Sequence, residues 1–220
     1  MDEPYFDVIL NRGSRNLYRY WTQRTRCSKD DRSSLEAACD AFEVLFDLKT
    51  CDRKRLLPIR DAAAHPRKVV WETGTLMLSQ LAQEHSLARE CLLQLAASTD
   101  AKRRLRSFAY LTDDFPRTFC RELVHSRVND LSEQVAHAAS WKAIELNLSE
   151  LSTPIRTRRK SVKHNTRLLE MSMLADLLDQ RYHEYYNDNG YNLVLAFPNF
   201  SRTKWFGQVV SKRAISQNSG

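Results

Sequence analysis

Three stretches decide how this chain folds: Val70-Trp71-Glu72-Thr73-Gly74-Thr75-Leu76-Met77-Leu78, Leu105-Arg106-Ser107-Phe108-Ala109 and Val135-Ala136-His137-Ala138-Ala139-Ser140-Trp141-Lys142-Ala143. In each, a large aliphatic residue is followed four positions later by a small one. At the helical period both fall on one face, as a knob and a hole, and the small residue lets a neighbouring helix approach closely. The stretches begin 105 − 70 = 35 and 135 − 105 = 30 residues apart. Recurrence at that period is what stacked helix pairs show.

Start signals frame these stretches. Ser33-Ser34-Leu35-Glu36 reads as a capping box, in which each side chain satisfies a free backbone N–H at a helix start. Pro66, Ser86, Asp100, the Asp114 and Pro116 pair and Asp130-Leu131-Ser132-Glu133 offer further starts. Residues 54 to 148 therefore read as about six amphipathic helices of ordinary length. Pro154 breaks the pattern, so 149–160 reads as a loop. Ser161 then opens a long helix, along which Leu168, Met171, Ala175, Leu178, Tyr182 and Tyr185 form a heptad seam. It ends near Asn187-Asp188-Asn189-Gly190, and 191–197 and 205–210 read as the strands of a small terminal hairpin. The expected organisation is a lead segment 1–32, a helical domain 33–187 and a basic tail 188–220.

At Leu105-Arg106-Ser107-Phe108-Ala109 the chain resembles HEAT-like helical repeats, in which a Val-Arg-x-x-Ala core recurs on one helix of each pair. The resemblance covers residues 54–148, and Trp71 and Ala136 depart from the Arg position. It implies a mainly all-α fold, a short α-solenoid, here with a long C-terminal helix and the hairpin. It also implies an extended binding surface. DNA glycosylases of HEAT-like fold share this size, charge and helical pattern and use a basic groove with a Trp and an Asp. No motif here aligns with them, and Trp71, Trp141 and Asp114 acquire no catalytic role from that likeness.

Composition narrows the rest. Of 220 residues, 42% are hydrophobic and 28% charged, enough apolar material for a core. Gly and Pro total 5 + 6 = 11, too few turn-formers for a many-stranded sandwich or barrel. No two glycines stand close enough for a phosphate-cradling loop. The six histidines are scattered, without HExxH, HxH or a Cys-His pair, and no GxSxG occurs. Cys27, Cys39, Cys51, Cys91 and Cys120 include no CxxC. Zinc-ribbon readings fail, and the thiols read as reduced, with Cys39, Cys91 and Cys120 in apolar helical stretches. No cofactor, metal or catalytic group is expected. No window of 18 apolar residues exists and the N-terminal apolar run is too short for a signal peptide, so the expected location is cytoplasmic, off the membrane.

The charge is +7, from 34 Lys and Arg against 27 Asp and Glu. Four basic segments carry it. Arg12 to Arg26 interleaves five arginines with Tyr18, Tyr20 and Trp21. It reads as a docked helix with solvated arginines or as a phosphate- and base-binding strip through Arg15, Arg19 and Trp21. Lys102-Arg103-Arg104-Leu105-Arg106 opens a helix against its dipole, so Arg103 and Arg106 need acidic neighbours or an acidic ligand. Arg156, Arg158, Arg159, Lys160 and Lys163 crowd eight residues without an acid, a solvated surface or the best single partner site. Arg202, Lys204, Lys212 and Arg213 surround Trp205 and Phe206, an edge hairpin kept soluble by its charges. The functional expectation is a non-enzymatic scaffold for a protein with an acidic patch. The alternatives are nucleic-acid binding, with or without base excision, and a structural subunit of an assembly.

Overall fold

Ser28, not Ser33, opens the first long helix. Its hydroxyl accepts from the Asp31 N–H at 3.1 Å, and Ser33 lies inside the helix. Asp30 and Asp31 suit a helix first turn as well as a preceding loop, so the spacing of Ser33 and Glu36 imitates a capping box one turn too late. The computed structural model describes residues 17–48, 51–179, 182–187 and 190–195. The helices are α1 (Leu17–Arg24), α2 (Lys29–Asp47), α3 (Arg53–Ala63), α4 (Lys68–Glu84), α5 (Ser86–Ala96) and α6 (Ala101–Ala109). After them come α7 (Arg117–Val128), α8 (Glu133–Glu145), a 3₁₀ turn (Ser149–Leu151), α9 (Ser152–Arg159) and α10 (Asn165–Leu178). The chain divides into two units, 1–123 and 124–220, with the division inside α7.

In the first unit, α1 packs on α2, α2 on α3 and α4, α3 on α4, α4 on α5, and α5 on α6. Each helix meets its chain neighbour, and α2–α4 and α3–α5 meet across one helix. That order is compatible with a helical-repeat fold. The core is Leu35, Phe42 and Leu45 of α2, Leu56 and Ile59 of α3, Met77 and Leu78 of α4, and Leu92 of α5. The hole expected at Gly74 is real. A Cβ built there would stand 2.5 Å from the Ala63 nitrogen and 2.6 Å from the Ala62 carbonyl carbon. Only hydrogen fits where α3 ends against α4. The matching knobs Val70 and Val135 are buried, whereas Leu105 is half-exposed and Arg106 and Phe108 take the inner positions.

In the second unit, α8 and α9 pack on α10. The stretch 149–160, expected as a loop, is the 3₁₀ turn followed by α9, with Pro154 in the first turn, where its missing N–H does no harm. Ser161 therefore does not cap α10; it turns back onto the Arg158 carbonyl at 2.9 Å. α10 is buried on Met171, Met173, Leu174, Ala175, Leu177 and Leu178, broader than one heptad seam. It stops at Leu178, and Tyr182 and Tyr185 fall on a strand, Tyr182–Asn187 (β1). This strand pairs antiparallel with Gly190–Leu195 (β2), from Tyr182↔Leu195 to Asn187↔Gly190. The aromatic run Tyr-His-Glu-Tyr-Tyr suits a strand as well as the helical spacing that it also satisfies. The second expected strand, 205–210, lies outside the described residues.

Arginines close the helix ends. None of the identified C-cap residues is a glycine. Guanidinium groups meet carbonyls in the last turn or just past it instead. Arg32 donates to the carbonyls of Thr22, in the last turn of α1, and Thr25, just past it, and Arg106 to those of Ala63, the last residue of α3, and His65, just past it. Arg89 donates to Ala82 and Gln83 of α4, Arg104 to Ser98 and Thr99 beyond α5, and Arg158 to Asp130 and Leu131 beyond α7. A cation at the negative end of a helix dipole both satisfies orphan carbonyls and is attracted there. α8 ends differently. Asn147 adopts φ 47°, and the Leu148 N–H reaches back to the Ala143 carbonyl at 2.8 Å, a glycine-style ending made with Asn.

Candidate interaction surfaces

The basic segment around residue 160 turns mostly inward. Arg156 pairs with Asp176 and, at 2.6 Å, with Asp179, both at the C-terminal end of α10. Burial works against its charge, but the hydrogen bonds to Asp179 and Asp176 outweigh it and raise its pKa. Arg159 donates to the Ser172 hydroxyl at 2.7 Å. Arg158 clamps the turn between α7 and α8 from Nε and Nη2, at 3.0 and 2.9 Å from the Asp130 carbonyl. Lys160 and Lys163 stay exposed, with no ion pair among the described residues.

That clamp creates a feature of its own. Asp130 is buried, and its carboxylate accepts from the Ser132 N–H at 2.8 Å and from Arg127 at 3.0 Å. Glu133 accepts the Lys163 N–H at 2.8 Å and the His164 N–H at 3.4 Å. The bond from Lys163 is the main reason its carboxyl is held below the ordinary range. Between these two anchored acids stands Leu131, 97% exposed. The turn 130–133 and the loop 160–164 are thus tied together, with Leu131 exposed on the turn and Lys160 and Lys163 exposed on the loop.

The other expected residues are dispersed. Arg106 is buried and lies 4.4 Å over the Trp71 ring, and desolvation lowers its pKa. Arg103 is exposed on the first turn of α6, which Asp100 caps through the Lys102 N–H at 2.8 Å. Arg19 grips Glu43 with two bonds, 2.5 and 2.8 Å, and Asp40 with a third. Trp21 is half-buried on α1, and Arg15 lies outside the described residues, as do the basic residues of 202–213. The strip from Arg12 to Arg26 is, where described, a docked helix with Tyr18 buried edge-on against Phe42 at 4.8 Å.

Sequence reading passed over one site. Between α3 and α5 runs a cavity of about 190 Å³ lined by Leu56, Leu87 and Cys91, with Leu57 exposed at its edge and with Arg53, Arg60, Glu90 and Gln94 as its polar lining. The signal was there: two arginines seven apart on α3 with a leucine between them, a spacing that puts all three on one face.

No group of three His, Cys, Asp or Glu among the described residues could hold a metal ion. Burial pushes the Cys39 and Cys51 thiols up to about 11 and raises that of Cys91, so none is a ready thiolate. All five thiols are unpaired as disulfides, and Cys39, Cys91 and Cys120 are buried. Trp141 donates to His137 at 3.2 Å, and His137 also meets the buried Glu170, which ties α8 to α10. No described helix is long and apolar enough to cross a membrane. No known family model, no curated protein and no solved structure matches this chain.

Proposed function

We propose that this chain is a non-enzymatic scaffold of stacked HEAT-like helix pairs, and that it holds a protein through the turn bearing Leu131. The carrying observation is a leucine 97% exposed on a backbone fixed by Arg158, Asp130 and Glu133. Scattered apolar residues on a surface are ordinary. A leucine displayed whole on a pre-ordered turn is a different object, because docking it freezes little additional freedom. Lys160 and Lys163, exposed on the loop tied to this turn, favour an apolar pocket rimmed by acids.

Affinity capture from the native host, after nuclease treatment, tests this with three baits: the wild-type chain, Leu131→Ser, and Lys160→Glu with Lys163→Glu. The expected outcome is one protein retained by the wild type and lost from both variants, with circular dichroism unchanged. A protein retained equally by all three overturns the site. Capture that vanishes with nuclease, together with direct DNA or RNA affinity falling steeply with salt, overturns the protein reading in favour of a polyanion.

A further inference from the structure

We propose a second binding site, the channel between α3 and α5, whose ligand is an acidic amphipathic helix of a protein. The cavity of about 190 Å³ is close to the size that admits a benzene-sized group, so it takes one leucine or phenylalanine side chain. Leu57 stands 41% exposed at its edge. Arg53 and Arg60 lie seven residues apart on α3, about 10 Å along the axis. A ligand helix with carboxylates at i and i+7 presents them at the same separation. A leucine at i+3 or i+4 then falls midway, over the channel.

The arginines are available for exchange. Arg53 meets Glu90 at 3.0 Å and Arg60 meets its neighbour Asp61 at 2.8 Å, both pairs in water. Pairs so exposed hold little free energy, and an incoming carboxylate that also seats an apolar side chain displaces them. The leucine floor argues against nucleic acid, whose phosphates gain nothing from an apolar surface.

A fluorescein-labelled, alanine-rich peptide of about 15 residues, with two glutamates seven apart and a leucine midway, tests this by anisotropy against the whole chain. The expected result is saturable binding that weakens by about tenfold or more with Arg53→Glu plus Arg60→Glu, and with Leu57→Lys. It also weakens when the peptide glutamates become lysines, while Leu131→Ser leaves it unchanged. Circular dichroism and the thermal midpoint establish that each variant is folded. Absence of saturable binding, equal binding of the lysine peptide, or displacement by an RNA oligonucleotide that binds more tightly overturns the proposal. Loss with Leu131→Ser alone overturns this site in favour of the turn.

Discussion

Two arginine-rich stretches of this chain look alike and behave differently. From Arg156 to Lys163 the arginines face acceptors within the fold: Asp176, Asp179, Ser172 and the Asp130 carbonyl. From Arg53 to Arg60 they face water across an apolar floor, matched only by exposed acids. The denser run is the more internal one. Charge density along a sequence says how much cation a segment carries. Whether that cation is available depends on the carbonyls and carboxylates that the fold brings within reach.

The contrast can be pressed hardest at Gly74, on which the placement of α3 depends. Gly74→Ala drives a methyl into the Ala62–Ala63 backbone and should lower stability by about 3 kcal/mol or more, read as the urea midpoint. Next comes Arg106→Met, which keeps the bulk but strips the Ala63 and His65 carbonyls of their donor. A loss of about 2 kcal/mol is expected, and a loss under about 0.5 kcal/mol would demote arginine capping to coincidence. The Glu133 anchor is smaller and depends on pH. Its carboxyl is depressed in the fold, so its contribution is whole above the ordinary carboxylate value of about 4.3 and fades as pH falls through the lower folded value. Thermal midpoints below that pH should therefore drop less steeply in Glu133→Gln than in the parent. Smallest of all, Arg53→Ala and Arg60→Ala should each move stability by under about 0.5 kcal/mol, as expected of side chains that face outward.

Helices were legible where spacing alone decides. The knob-and-hole register located α4 and α8, and Gly74 marked the close crossing, because burying a small residue leaves a fixed period. Ends were less legible. Pro154 fits a loop and a first turn equally well, and Tyr182-His183-Glu184-Tyr185-Tyr186 satisfies a helical seam and a strand. The candidate surfaces were the least legible. Nothing local in Asp130-Leu131-Ser132-Glu133 says that Arg158 will lock it, since that bond joins residues 28 apart. Nor does Arg53-Lys54-Arg55 reveal that α5 will supply the opposite wall.

The crossing at Gly74 leaves a fingerprint that outlasts similarity of letters. Hydrogen at one position and a planar cation at another serve the same junction, one by making room for the end of α3 and the other by binding its last carbonyls. Neither task passes easily to another residue: alanine is too large, and lysine lacks the planar face that lies over Trp71. Distant kin that keep this junction should still pair a glycine with an arginine roughly one helical hairpin later, and a search keyed to that couple would find them after overall resemblance had eroded.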